Sequence, residues 1–164
     1  MLTNTTTIAL PVPHRETLSS RCEYYRACGF EALVRPDLRR IYFLASSRVG
    51  AVILPSALAP QVRAKLREGG LALGPTVSHP RSGRWTVMVQ PNIDNDTATF
   101  ARLFRAYVSV VRTGGEIALP APSGERTTID RRWMNAPTTA LPPGAAVVEA
   151  IQACIELSAR RRLA

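Results

Sequence analysis

The sequence places each of its two tryptophans beside a pair of arginines. The first motif is Arg81-Ser82-Gly83-Arg84-Trp85 and the second is Arg131-Arg132-Trp133. Arginines that contact phosphates and aromatic rings that stack on bases are what a site for single-stranded nucleic acid needs. The alternative is that both tryptophans pack in the core and that the arginines are solvated. The candidate nucleic-acid-binding residues are therefore Arg81, Arg84, Trp85, Arg112, Arg131, Arg132 and Trp133.

Candidate catalytic and metal-binding groups are few. Asp94 and Asp96 are the only close acidic pair with the spacing to clamp a divalent metal, which would need a further carboxylate such as Glu116. Both aspartates precede an amphipathic segment, where Asp is a preferred helix N-cap, so capping is the simpler explanation. Neither His14 nor His79 has a cysteine nearby in a metal-ligand spacing. The sequence therefore predicts no metal site, no cofactor and no catalytic residue.

The pattern of apolar residues predicts the elements that position these side chains. Helices are expected from His14 to Gly29, from Ser56 to Gly69, from Asp96 to Tyr107 and from Pro143 through the arginines near the end. Strands are expected at 40–45, 49–54, 76–78, 84–90, 108–111 and 116–119. The first two strands are predicted to form one hairpin, and the last two to form another across Thr113-Gly114-Gly115.

The order of these elements favours an α+β fold in which helices pack on a mixed β-sheet. Residues 1–13 have no periodicity and are predicted to be a flexible arm or an edge strand. Residues 14–164 are predicted to form one domain, because 164 residues suit a single core. Within that domain, 120–143 is predicted to be a Pro-rich loop, which is long for a compact protein.

From residue 49 to about residue 143 the chain resembles the N-terminal domain of bifunctional DNA primase/polymerases, the prim-pol branch of the archaeo-eukaryotic primase superfamily. Three landmarks come in the family's order. The first is a buried strand at 49–54 that leads into a helix, and the second is a small-residue turn into a strand at 82–89. The third is a stretch at 114–123 in which glycines precede a strand and a proline and a serine follow it. Arg132-Trp133 and Leu141-Pro142-Pro143 then match the aromatic and the Leu-Pro that close the domain. The resemblance implies a prim-pol/RRM-like two-layer core.

The same resemblance implies that the catalytic groups of the family are replaced in this chain. Pro55-Ser56-Ala57 occupies the place of the family's Asp-x-Asp, Thr86 that of a nucleotide-binding histidine, and Ser109 that of the third acid. Phosphoryl transfer depends on carboxylates that hold metal against the triphosphate. With Pro55, Ala57, Thr86 and Ser109 at these positions, we expect a degenerate relative without polymerase activity.

The charge balance favours a polyanionic partner. Lys and Arg number 21 against 12 Asp and Glu, which gives a formal net charge of +9, and Lys65 is the only lysine. Arginine binds phosphate in a bidentate manner, although the composition of a GC-rich genome would also raise the arginine content. Cys22, Cys28 and Cys154 have no metal-ligand spacing and are predicted to be buried thiols. No apolar run reaches about 18 residues and no basic leader is present, so we expect a cytoplasmic protein without a membrane partner.

These observations support three hypotheses. The leading one is a non-catalytic domain that binds the phosphate backbone of nucleic acid through arginines, with DNA expected rather than RNA and single-stranded DNA among the ligands. The alternative is a protein-interaction or regulatory subunit of a larger assembly, for which the long 120–143 segment would be the contact. The third is residual primase-like or polymerase-like nucleotidyltransferase activity through Asp94, Asp96 and Glu116.

Overall fold

The computed structural model describes residues 16–122 and 130–164. Its helices are α1 (Leu18–Ala27), α2 (Ala59–Glu68), α3 (Thr97–Arg105) and α4 (Gly144–Leu163). Its strands are β1 (Leu33–Arg35), β2 (Arg40–Leu44), β3 (Gly50–Pro55), β4 (Thr76–His79), β5 (Arg84–Val89), β6 (Ser109–Val111), β7 (Glu116–Leu119) and β8 (Arg132–Asn135). The predicted α+β class is confirmed. Among the described helices, none has the length and apolar character that a membrane crossing requires.

The strands divide into two sheets, both with antiparallel pairing between neighbours. The small sheet has the order β1-β2-β7, and the large sheet has the order β6-β3-β5-β4-β8. No residue of β3 or β5 is exposed, which agrees with their central place in the large sheet. Strands buried on both faces carry near-continuous apolar runs, and this is the pattern that the sequence shows for β3.

The two predicted hairpins are wrong, because each joins strands that belong to different sheets. β2 pairs with β1 and β7, whereas β3 pairs with β5 and β6. Between β2 and β3 the chain turns tightly, and Ser46 Oγ accepts hydrogen bonds from the backbone N–H groups of Arg48 and Val49. The turn after β6 is joined to this one, since Gly114 N–H donates to the Ala45 carbonyl at 2.8 Å. The connection from β2 to β3 and the connection from β6 to β7 therefore lie side by side and are joined by a hydrogen bond.

The ends of the helices follow local signals. Thr17 and Ser20 form a reciprocal capping box, so α1 begins at Leu18 and the predicted start at His14 is too early. Asp96 caps α3 as predicted, because its carboxylate accepts the Thr99 N–H at 2.8 Å. Gly69 caps the end of α2. Pro143 precedes α4, as expected for a residue whose fixed φ suits a helix start.

The large sheet separates two apolar cores. On its helix face, which α2, α3 and α4 cover, buried side chains include Val52, Leu54, Val87, Leu103 and Ile151. Its opposite face, called the small-sheet face below, packs on α1 and the small sheet through residues that include Tyr25, Ile41, Ala51, Met88 and Ile117. The three cysteines are free thiols; Cys22 and Cys154 are buried and Cys28 is partly buried.

Two predicted segments lie partly or wholly outside the described residues. The arm or edge strand predicted at 1–13 falls outside them. The predicted Pro-rich loop at 120–143 includes 123–129, which also lie outside, and its later part contains the edge strand β8. β8 pairs with β4 across a register shift between Thr76 and Val77. A strand therefore occupies part of a segment whose prolines predicted irregular structure.

Candidate nucleic-acid interface

The register of the large sheet decides on which face each candidate side chain lies. Successive side chains of a strand point to opposite faces. On β5, Met88 belongs to the core beneath the small sheet, so Thr86 and Arg84 lie on the small-sheet face as well. Val77 pairs with Thr86, and His79 pairs with Arg84. These pairs place a row of polar residues on the small-sheet face, at the end of the sheet where β4 turns into β5.

His79 is the centre of a hydrogen-bonded group in this row. Arg131, which directly precedes β8, donates from Nε to His79 Nδ1 at 3.0 Å. His79 Nε2 lies 2.8 Å from Thr86 Oγ1. An arginine N–H can only donate, so Nδ1 is the unprotonated nitrogen and Nε2–H donates to the threonine hydroxyl. The contacts therefore fix both the tautomer and the orientation of the imidazole.

The environment of His79 also keeps the ring neutral. Burial and then the positive charges of Arg131 and Arg84 lower the pKa of His79 from its ordinary value to about 4. At neutral pH the ring therefore accepts the hydrogen bond from Arg131 without adding a positive charge. Protonation would turn Nδ1 into a donor and remove that bond.

Arg84 connects this row to the far edge of the sheet. Its Nη2 donates to the backbone carbonyl of Tyr107 at 2.6 Å and to that of Ile53 at 3.3 Å. Ile53 belongs to β3 and Tyr107 lies between α3 and β6, so one guanidinium bridges three segments of chain. Such a side chain is held in place before any ligand arrives, which lowers the entropy cost of binding.

Arg131 lies among further positive charges. Partial burial of its guanidinium, followed by the charges of Arg40 and Arg81, lowers the pKa of Arg131, and Glu116 acts in the opposite direction. Glu116 itself forms an ion pair with Arg35 at 2.9 Å. We call Arg40, Arg81, Arg84 and Arg131 the arginine cluster: the charges of Arg84 and Arg131 act on His79, and those of Arg40 and Arg81 act on Arg131.

Three of the candidate residues from the sequence are thus brought together, namely Arg81, Arg84 and Arg131. Trp133 lies on the same face but packs against the core beneath the small sheet, where its indole N–H donates to the Tyr25 hydroxyl at 3.0 Å. Its ring also packs edge-on against Tyr25 and is stacked against Phe30, with centroids 5.7 and 6.4 Å apart. Both contacts belong to the core beneath the small sheet, so the packing alternative describes this indole better than the stacking one.

The other three candidates lie away from the cluster. Trp85 packs on the helix face with Arg63 over its ring at 5.5 Å. Alternation along β8 places Arg132 on the opposite side of the strand from Trp133. Arg112 follows β6 at the end away from Tyr107, and its guanidinium lies 4.7 Å from the centroid of Phe100. A nucleic-acid contact by Trp85, Arg112, Arg132 or Trp133 remains a prediction.

Two of the three carboxylates considered for metal binding have other roles. Asp96 caps α3 and Glu116 pairs with Arg35, as described above. Over the described ranges 16–122 and 130–164, no group of three or more His, Cys, Asp or Glu side chains could hold a metal ion.

Two residues of this region were missed by sequence reasoning, and one was placed wrongly. His79 was assigned to a loop, although extension of the β4–β5 pairing by one residue would have placed it opposite Arg84. Arg40 comes from the small sheet, and no local pattern could have placed it near Arg131. Tyr107 was predicted to end α3, but the helix ends at Arg105 and the ring is 74% exposed.

Comparison of the chain with family models, with curated proteins and with solved structures finds no match. The positions of Thr86 and Ser109 lie on the two strands that flank β3 in the large sheet. Ile53 pairs with Thr86 on one side and with Ser109 on the other, so two of the positions singled out by the resemblance flank one β3 residue.

Proposed function

We propose that this protein is a non-catalytic nucleic-acid-binding domain that holds a phosphate backbone, DNA rather than RNA, on the arginine cluster. The observation that carries the proposal is that Arg131 donates to a neutral His79, with Arg84 also near that ring and with the charges of Arg40 and Arg81 acting on Arg131. Like charges held this close repel one another, and an anion placed among them relieves that repulsion. Phosphate is an anion whose oxygens the planar guanidinium binds in a bidentate manner.

The contacts of the cluster favour a bound backbone over base reading. Arg84 and Arg131 are oriented by hydrogen bonds to backbone and imidazole, while Arg81 lies on the exposed turn between β4 and β5. Contacts of arginine to phosphate position a nucleic acid without reading its sequence. Binding should therefore be strong at low salt, weak at high salt and tolerant of sequence.

The prim-pol resemblance is part of the same proposal. Pro55 pairs with Arg84 across β3 and β5, and Thr86 and Ser109 both flank Ile53, so these positions lie at the end of the sheet that carries the cluster. This arrangement supports a prim-pol-like surface in which neutral residues stand where the family has acids. Such a surface would bind nucleic acid without transferring a nucleotide.

The test is the affinity for a labelled single-stranded DNA of about 12 nucleotides, within the size range of single-strand sites, measured by fluorescence anisotropy at low salt. The cluster variant carries Arg40→Ala, Arg81→Ala, Arg84→Ala and Arg131→Ala. The control variant loses the same charge at the exposed ends of α2 and α4, through Arg67→Ala, Arg160→Ala, Arg161→Ala and Arg162→Ala. Both variants are first compared with wild type by thermal melting.

We expect the cluster variant to bind at least about 30-fold more weakly, because several charge-assisted contacts are lost together, and the control variant to change only a few-fold. Equal losses in the two variants would mean that net charge alone drives binding. Absence of binding by wild-type protein would also overturn the proposal.

A protein partner is the second candidate function, and one observation favours it. Phe104 on the outer side of α3 is 80% exposed, which is unusual for so large an apolar side chain. This candidate predicts a stoichiometric complex that Phe104→Ser weakens, together with no retardation of DNA in a gel.

A further inference from the structure

Tyr107 has a backbone conformation that seldom suits its side chain. Its φ is 58°, in the left-handed region that glycine adopts without steric cost. The residue follows α3 as the left-handed position of a Schellman motif: Val108 N–H donates to the Leu103 carbonyl at 2.9 Å, and Tyr107 N–H donates to that of Phe104 at 3.0 Å. Glycine is the usual residue at this position, so a tyrosine here is costly for the fold.

The ring is mostly exposed, so its packing does little to offset that cost. Tyr107 is 74% exposed, whereas its neighbours Leu103 and Val108 are buried in the core on the helix face. Strained backbone that the surrounding structure holds in place is often associated with function. Here the holding group belongs to the proposed site, since Arg84 donates to the Tyr107 carbonyl at 2.6 Å.

We propose that Tyr107 is a stacking platform for a base of single-stranded nucleic acid whose phosphates lie on the arginine cluster. This inference rests on the proposed function and narrows it to an unpaired strand. In a duplex the faces of the bases are covered by their neighbours, whereas an unpaired base can stack on an exposed aromatic ring. Tyr107 would supply the aromatic half of the site that the sequence assigned to Trp85 and Trp133.

The strand order gives the path of the ligand. Tyr107 lies at the β6 edge of the large sheet, Arg84 on the central β5, and Arg131 beside the β8 edge. From β6 to β8 there are four intervals of about 4.8 Å, or about 19 Å. At about 3.4 Å per stacked nucleotide, this row accommodates roughly five nucleotides.

The experiment compares Tyr107→Gly, which removes the ring and the strain together, with Tyr107→Phe, which keeps the ring. Tyr24→Ala serves as the control, because Tyr24 is an exposed tyrosine on α1 at 53% exposure whose ring contacts Tyr25. The probes are a single-stranded DNA of about 12 nucleotides, an abasic strand with the same number of phosphates, and a duplex of the same length.

We expect Tyr107→Gly to bind the single-stranded DNA about 10-fold more weakly, and to bind the abasic strand as wild type does. Tyr107→Phe and Tyr24→Ala should bind all probes as wild type does. The melting temperature of Tyr107→Gly should equal or exceed that of wild type, because the strain is removed. A loss of affinity without a loss of stability separates a ligand contact from a structural role.

Three results would overturn the inference. Equal weakening on the abasic strand would mean that Tyr107 acts only through the position of Arg84. Unchanged binding by Tyr107→Gly, with binding lost in the cluster variant, would leave the proposed function intact and remove the stacking role. If wild-type protein binds none of the probes, the proposed function fails together with the stacking role. If, in addition, Tyr107→Gly weakens a complex with a protein partner, the ring is a protein contact.

Discussion

The Arg-Trp dipeptide occurs twice on the large sheet, and the two copies are oriented in opposite ways. On β5, Arg84 lies on the small-sheet face within the arginine cluster, and Trp85 packs against the helices. On β8 it is Trp133 that packs on the small-sheet face, while Arg132 lies on the other side of the strand. A shift of one residue exchanges the faces of every side chain in a strand. Identical composition therefore gives no guide to which residue faces a ligand.

The comparison also explains why Arg131 belongs to the site. Arg131 is two residues before Trp133 and so lies on the same face of the large sheet, where it reaches His79. Trp133 fills the core beside it and bonds to Tyr25. On this face the arginine would supply charge for the proposed ligand, and the tryptophan packs against the core beneath the small sheet.

The largest expected difference between the two Arg-Trp copies is the loss of folding stability when the tryptophan is replaced by alanine. Trp133→Ala should lower the free energy of unfolding by about 3 kcal/mol, because it leaves a cavity next to Tyr25 and Phe30 and removes a partly buried hydrogen bond. Trp85→Ala should cost about 2 kcal/mol or less, because that ring, which is also partly buried, has the Arg63 guanidinium over it where Trp133 has two aromatic rings. Urea denaturation of both variants measures the difference, with Trp133→Phe as an intermediate control. A larger cost for Trp85→Ala would contradict the assignment of the two rings.

The next largest difference is the loss of affinity for single-stranded DNA when the arginine of each Arg-Trp copy is replaced by alanine. Arg84→Ala should weaken the affinity for single-stranded DNA about 10-fold, which corresponds to about 1.4 kcal/mol, because a charge-assisted phosphate contact is lost. Arg132→Ala should change the affinity less than about 3-fold, because that residue lies on the other face. Anisotropy titrations at equal salt concentration compare them, and melting curves identify any variant that is partly unfolded. If Arg132→Ala causes the greater loss, the ligand lies on the helix face.

The smallest expected effect concerns His79 and pH. The pKa of His79 is about 4 in the folded protein and near its ordinary value of 6.5 after unfolding, so the unfolded chain binds more protons between these two values. Stability is therefore fully present above pH 6.5 and falls as the pH falls toward 4. Since the ring is only partly buried, we expect the free energy of unfolding to fall by about 1 kcal/mol over this pH range.

Urea denaturation at several pH values measures this loss, and His79→Gln is the comparison variant because glutamine does not titrate. The difference in unfolding free energy between wild type and His79→Gln should shrink as the pH falls from 6.5 to 4. A difference that stays constant over that range would show that the imidazole does not lose its bond to Arg131.

Much of the local structure could be predicted from the sequence. The strand at 84–90, the glycines that end α2 and the cap at Asp96 depend on neighbouring residues, and all three predictions are confirmed. The pairing of strands was not predictable in this way. β2 and β3 are separated by a short polar turn that is typical of hairpins, yet each finds its partners in a different sheet.

The site shows the same division between local and long-range information. The hairpin that joins β4 to β5 brings Arg81 and Arg84 together, and that proximity could be predicted from the sequence. Arg131 reaches His79 across 52 residues of chain, and Arg40 approaches from the small sheet. The exposure of Tyr107 depends on α3 ending at Arg105, two residues before the apolar pattern does. These contacts arise from tertiary packing, which no local pattern encodes.

The most direct test of the proposed binding surface is the salt dependence of single-stranded DNA binding by wild type and by the double variant Arg84→Ala/Arg131→Ala. Each phosphate contact contributes about 0.7 to the slope of log Kd against log salt concentration for single strands. The proposed surface predicts a slope lower by about 1.4 in the double variant, with the slope unchanged in Arg160→Ala/Arg161→Ala. An unchanged slope in Arg84→Ala/Arg131→Ala would contradict phosphate binding by the arginine cluster.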